Sequence, residues 1–311
     1  MKTYCLISIA CLLAFAGCTR EKSETSTRGN LHILIPESAA LPAIDEVRAF
    51  LNLHSDEGAN IDYQIVSSDQ AIRGLGRDSV RFVFSTRPMS AGERQQVPQV
   101  VGSELGEVLI AFDAVAVVVH EKNLVGEMTT DELSKVLSGG ISRWEQLSKS
   151  KGMKGHIELL FQDSSDVASY ADARILLGKP LRKDVKAIGS SLAMLQAVAS
   201  QPMALGLTGI TWVDSAHASV KVLEIAEDRT TSDTTFRVPN VAFGKFHSPH
   251  PANIYRTYYP LKRAIYAYWY APLGSLAIGF GSYVSHADGQ RLFLKRNIVP
   301  ATQIIKLKGA E

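Results

Sequence analysis

The sequence predicts an α/β protein of two lobes with a ligand cleft between them, and three observations carry this. Twice, far apart in the chain, a short apolar run ends in a hydroxyl-rich turn and passes into an amphipathic helical pattern. LHILI, residues 31–35, is followed by Ser38; the strand at 157–161 is followed by Gln162-Asp163-Ser164-Ser165. The run EVLIAFDAVAVVVH, residues 107–120, carries Asp113 in its middle, where a carboxylate is costly inside a buried strand. This strand is expected to leave one lobe near Asp113 and enter the other, with Asp113 serving as a hinge or ligand residue, or pairing with an arginine or a backbone N–H. A chain of 311 residues is long enough for two such units.

Charge excludes one class of partner. Lys and Arg number 33 against 31 Asp and Glu, for a net charge of +2, and no basic block or aromatic-interleaved stripe occurs. Nucleic acid is therefore not an expected partner.

The first residues set the compartment. Lys2 supplies a positive start, Cys5 to Ala16 an apolar stretch, and Ala16-Gly17 small residues before Cys18. This reads as an export signal, and all three cysteines lie within it. FAGC resembles a bacterial lipobox, which implies cleavage before Cys18 and a diacylglyceryl anchor on its sulfur; the alternative is an ordinary signal peptide cut near Ala16. Residues 19–30, TREKSETSTRGN, are polar and aperiodic, as in a flexible tether.

The remaining elements follow in order. Leu41, Ile44, Val47, Phe50 and Leu51 predict a helix that starts just after Ser38, whose hydroxyl either caps that helix or faces an anion at its N-terminus. IDYQIV, residues 61–66, is a second strand. RFVFSTRPMS, residues 81–90, is a third, stopped at Pro88, so that Ser85 and Thr86 sit just past its carboxyl end, where ligands bind in open α/β sheets. Thr129 to Gly139 predicts a capped helix, and Ser191 to Ser200 another. ALGLTGITWV, residues 204–213, and VKVLEI, residues 220–225, read as strands. YYPLKRAIYAYWY, residues 258–270, returns to apolar alternation, and helices at 275–285 and 289–294 close the chain. His247 and His250 have no third ligand at a usable spacing, so neither a metal nor a cofactor is expected.

Several of these pieces together resemble the phosphate-binding-protein-like family of ABC-transporter solute receptors. FSTRPMSAGE is similar to its Ser-Arg-Pro segment, AFDAVAVVVHEKN to its crossover strand, and MTTDELSKVLSGGISRWEQL to its Leu-Thr to Asn-Trp stretch. YYPLKRAIYAY is similar to its return strand and SYVSHADGQRLFLKRNIVP to its closing helix. The resemblance implies a type II periplasmic binding protein fold with an anion held between lobes by hydroxyls and backbone N–H groups at helix starts. Carried over by position, the ligand-binding residues are Ser38, Ala39, Ser85, Gln162, Ser164 and Ser165. The implied partition is 1–17 signal peptide, 18–30 lipidated cysteine and tether, 31–112 plus 260–311 lobe one, and 113–259 lobe two.

The match departs from the family at the anion. Glu37 stands where the family has glycine, and Gln162 to Val167 replaces an Arg and a Ser-Gly-Thr, which removes the guanidinium suited to an oxyanion and adds the carboxylate of Asp166. The leading expectation is an exported, lipid-anchored protein of the periplasm or cell envelope. It would capture phosphate or a related oxyanion and pass it to an ABC transporter permease. The alternative is an envelope interaction or regulatory module whose anion cleft has degenerated. No nucleophile elbow, zinc motif or phosphate loop points to an enzyme.

Overall fold

The computed structural model describes residues 23–230 and 235–302; Cys18 and the segment expected as an export signal lie outside them. Strand β1 (Gly29–Pro36) buries Leu31, Ile33, Leu34 and Ile35, and Pro36, which has no N–H to donate, ends the ladder. A 3₁₀ turn over Glu37–Ala39 leads into α1 (Ala40–His54), which turns Ala40, Ala43, Val47 and Phe50 to the core at helical spacing. Ser38 does not cap this helix: the cap position is Ala39, with no side-chain bond. Strand β2 (Ala59–Val66), helix α2 (Ser68–Gly74) and strand β3 (Val80–Ser85) follow. β1 pairs in parallel with both β2 and β3, and α1 and α2 are the crossovers that parallel pairing requires. Capping boxes start α2 (Ser67 with Gln70) and α3 (Ala91–Gln96; Ser90 with Glu93).

Strand β4 (Ser103–His120) runs the full 18 residues through Asp113 and leads to β5 (Glu127–Thr129) and α4 (Thr130–Ser138). A capping box of Thr129 with Glu132 starts α4, and Gly139, left-handed at φ 87°, ends it. Next come β6 (Glu158–Phe161), α5 (Asp166–Tyr170), which continues as a π-helical turn to Leu176, β7 (Lys186–Ala187) and α6 (Ser191–Ser200). The run at 204–213, expected as one strand, divides into β8 (Ala204–Gly209) and α7 (Ile210–Ala216). The run at 220–225 likewise splits into β9 (Val220–Val222) and β10 (Glu224–Ala226). After α8 (Pro251–Tyr255) the chain returns through β11 (Lys262–Pro272), α9 (Leu276–Ser285), α10 (Ala287–Lys295) and β12 (Val299–Pro300).

The sheet runs in the order β2-β1-β3-β11-β4-β8-β6-β7, with β9 and β12 also on β4. Its two ends serve different cores. One gathers Ile33, Phe50, Phe82, Phe84, Ile110 and Phe280; the other gathers Val117, Leu133, Trp144, Leu159, Leu195 and Leu207. β4 belongs to both. It pairs antiparallel with β11 from Ser103 to Ala114, then with β8 from Val115 onward, so the exchange of partners falls between Ala114 and Val115, one residue past Asp113. This is the two-lobe α/β architecture that the sequence predicts, with β4 and β11 running between the lobes.

Candidate anion site

The seam between the lobes lies past the carboxyl ends of β1, β2 and β3. Three turns there present polar groups: Glu37-Ser38 after β1, Ser68 at the start of α2, and Thr86-Arg87 after β3. From the other side come Asp166, the first residue of α5, and Ser191, the first of α6.

Asp166 is 6% exposed, and its carboxylate is used by the opposite lobe. Oδ1 accepts the backbone N–H of Ser68 at 2.6 Å, and Oδ2 accepts the Ser38 hydroxyl at 3.4 Å. The Ser68 hydroxyl meets that of Thr86 at 3.1 Å and accepts the Thr86 N–H at 2.9 Å. Glu37 makes the reverse contact. Its carboxylate accepts the N–H of Ser191 at 3.0 Å and the Ser191 hydroxyl at 2.8 Å, at the start of α6. Each lobe thus lends a carboxylate to a helix N-terminus of the other, where the exposed N–H groups and the helix dipole favour negative charge. Trp212 adds a bond from its indole N–H to the Glu37 carbonyl at 3.0 Å.

Behind Ser38 lies a guanidinium. Arg263 on β11 donates Nη1–H to the Ser38 hydroxyl at 3.0 Å and Nη2–H to the Ser38 carbonyl at 3.3 Å. Its Nε and Nη2 also reach Asp113 Oδ2 at 3.1 and 2.5 Å. Gly209 makes this approach possible, since a Cβ there would lie 2.8 Å from the Ser38 carbonyl oxygen and 3.0 Å from Arg263 Nη2.

A cavity of about 230 Å³ opens beside the seam, with Ser68, Thr86, Arg87, Asp166, Tyr170 and Arg263 among its lining. Arg87 is held firmly protonated, chiefly by Glu93 and also by Asp69, and Glu93 is correspondingly drawn down to about 2. Burial pushes the Tyr170 phenol up to about 12, and its hydroxyl donates to the Lys262 carbonyl at 3.0 Å. Lys262 itself, with Nζ 4.0 Å from the centre of the Phe112 ring, is lowered to about 8 by desolvation. The donors that converge at the seam are suited to holding an anion.

Of the residues expected from sequence, Ser38 reaches the other lobe through a side-chain hydrogen bond, to Asp166. Ala39 packs into the first core. The Ser85 hydroxyl turns back to donate to the Arg87 carbonyl at 2.7 Å and to accept the Arg87 N–H at 3.2 Å. Ser165 caps α5, accepting the Ala168 N–H at 3.0 Å while donating to the Gln162 carbonyl at 2.7 Å. Ser164 is exposed, with φ 55° and its N–H on Asp163 at 2.8 Å. Sequence reasoning missed Ser68 and Arg263, and it left Thr86 out of the ligand set although it placed that hydroxyl at the strand end. The Ser67-to-Gln70 capping pattern and the arginine of the return strand were visible, but nothing local ties either to Ser38.

Comparison with known proteins agrees with this architecture. A family model described as a PBP superfamily domain matches residues 24–287. Phosphate-binding protein PstS of Pseudomonas aeruginosa is 24% identical over 255 residues, covering 78% of this chain and 74% of that protein. PstS of Borreliella burgdorferi is 23% identical over 203 residues, covering 62% of this chain and 68% of that protein. Among solved structures, a putative phosphate ABC transporter substrate-binding protein with bound phosphate from Clostridium perfringens superimposes with a TM-score of 0.70 at 18% identity. It covers 88% of this chain and 100% of its own. Matched along most of its length and carrying the two-lobe architecture, the chain belongs to the PBP superfamily.

Proposed function

We propose that the protein is an exported solute-binding lipoprotein that captures a small oxyanion, phosphate or a close relative, and delivers it to an ABC transporter permease. In this reading residues 31–112 and 260–311 form one lobe and 113–259 the other, with Cys18 as the lipid anchor. The observation that supports it most is that the Ser68 N–H and the Ser38 hydroxyl, backed by Arg263, are already bonded to an oxyanion, the carboxylate of Asp166. A donor set satisfied by a carboxylate is one that a phosphate oxygen can also satisfy. The protein's own side chain stands where the ligand's oxygens would bind, and the adjoining cavity gives room for exchange. The names of the relatives and structural neighbours, phosphate-binding proteins among them, point the same way.

Calorimetry with phosphate and sulfate tests this. Asp166→Gly should bind phosphate about tenfold or more tighter than the natural chain, because the internal competitor is gone. If neither form binds either anion, the second reading gains: an envelope interaction module held shut without ligand, favoured by the paired contacts of Asp166 with Ser68 and of Glu37 with Ser191.

A further inference from the structure

The end of the first lobe opposite the seam carries an apolar tip. Val100 is 57% exposed, Val101 fully exposed and Leu273 76% exposed. These side chains stand on ordered turns. The Val100 N–H donates to the Tyr270 hydroxyl at 2.5 Å, its carbonyl accepts the Ser103 N–H at 3.1 Å, and Ser103 pairs with Pro272 across the ladder. The two turns themselves, 97–103 and 270–276, contain no ionisable acid or base apart from the Tyr270 phenol, in a chain that is 21% charged; charge stands beside them at exposed Glu104, opposite Ala271, and at the Glu24–Arg81 pair by Leu276. Single exposed apolar residues are ordinary, whereas two uncharged turns side by side with three exposed aliphatic side chains form a patch.

The N-terminal part of the chain joins the lobe at this same end. Glu24 accepts the Leu276 N–H at 3.0 Å and pairs with Arg81 at 2.7 Å, and Leu276 is three residues from Leu273. Cys18 precedes Glu24 by six residues, which span at most about 20 Å when fully extended. A lipid on Cys18 would therefore hold the Val100, Val101 and Leu273 tip close to the bilayer surface.

We propose that this tip rests on the lipid surface and fixes the orientation of the anchored protein. The inference rests on the anchor at Cys18. The acyl chains supply the affinity; the patch, too small to bind alone, sets which face points down. β1 runs from this end to the seam, and its eight residues span about 25 Å, so the cleft is held away from the membrane and open to the solvent.

The test uses the full chain, processed and lipidated, in vesicles of phosphatidylethanolamine and phosphatidylglycerol. The cysteines at 5 and 11 leave with the signal and the thiol of Cys18 is blocked by its lipid, so Val101→Cys and Leu273→Cys can each be labelled alone with an environment-sensitive fluorophore. Leu124→Cys, exposed on the other lobe, is the control. Quenchers carried on the acyl chains should dim the labels at 101 and 273 at least about twofold more than the label at 124. Equal quenching at all three positions, with the protein floating alongside the vesicles, overturns the proposal. Shielding that requires a co-reconstituted permease also overturns it, and gives the face to a protein partner. If the natural chain does not float with vesicles, the anchor is absent and the proposal falls with it, while the anion reading stands or falls separately by calorimetry.

Discussion

The Arg263 guanidinium lies against the Asp113 carboxylate on adjacent strands, with both side chains almost wholly shut off from water, at 2% and 0% exposure. The pair sits where β4 exchanges β11 for β8, and Arg263 extends from it to the hydroxyl and the carbonyl of Ser38. A buried pair of this kind adds little net stability over an apolar substitute, but removing one member strands the other. Arg263→Met should therefore destabilise the fold by about 3–5 kcal/mol, whereas Asp113→Leu combined with Arg263→Met should recover much of that loss. Urea unfolding measures both. A loss below about 1 kcal/mol for the single variant would mean that the pair is solvated.

The carboxylates that cross the seam should hold the lobes together in the absence of ligand. Asp166→Ala and Glu37→Ala each remove charge-assisted bonds, of the kind worth about 1.5–3 kcal/mol, from a helix N-terminus of the other lobe. The double variant is expected to open, with a larger radius of gyration by small-angle X-ray scattering. An unchanged scattering profile would assign closure to apolar contacts such as those of Trp212.

Glu46 on α1 makes stability depend on pH. It is fully buried, both carboxyl oxygens lack a hydrogen-bond partner among the described residues, and burial, with a smaller contribution from Asp45, pushes the group up to about 9. The folded chain therefore keeps this proton between about pH 4.5 and 9 while the unfolded chain releases it. Stability contributed at low pH is lost as pH rises through that window, by up to about 1.4 kcal/mol per unit, and the curve flattens above it. Glu46→Gln should match the natural chain near pH 4.5 and exceed it at pH 7 by an amount of order 1–3 kcal/mol. Equal pH profiles in denaturant titrations would rule out a buried proton there.

Much of the fold was legible because strand and helix periodicities are local. The strands through Ile33, Phe82, Val117 and Leu159 show as apolar runs, and Thr129 and Gly139 mark the ends of α4 in the sequence itself. The break at Gly209 was not legible, since Ile210 to Val213 continues the apolar run; the backbone turns there next to Ser38, a residue 171 positions away. The site was the least legible part. Ser85 and Ser165 have the right residue types at strand ends but spend their hydroxyls on their own turns, whereas Ser68, Thr86 and Arg263 matter through contacts that no local pattern encodes. The family pattern pointed to a missing arginine in the loop after β6; a guanidinium reaches Ser38 from β11 instead.

Two glycines should respond to alanine in opposite directions. Gly209→Ala would press a methyl group against the Ser38 carbonyl and Arg263, and should cost about 1–3 kcal/mol while weakening anion binding. Gly92, in α3, has open space where a methyl group would stand, with nothing within 4 Å, so Gly92→Ala should stabilise by about 0.4–1 kcal/mol. Thermal melting of the two variants decides it, and a shift in the same direction for both would contradict this packing.

The pairing of β4 with β11 joins Ser103 to Pro272, residues far apart in the chain, and β3 likewise awaits β11 as its second neighbour. During synthesis the first three strands must therefore persist with an open edge until nearly the whole polypeptide has been made, and the entropy of closing so long a loop slows the step further. The core around Val117 and Leu159 draws most of its residues from one continuous stretch and faces no such delay. The half of the molecule that leaves the ribosome later is thus expected to fold earlier, which pulse-labelling hydrogen exchange would show as protection at Leu205 preceding protection at Ile33. Under the proposed export, a slow-closing first lobe would prolong the unfolded interval in which threading through a narrow channel is possible.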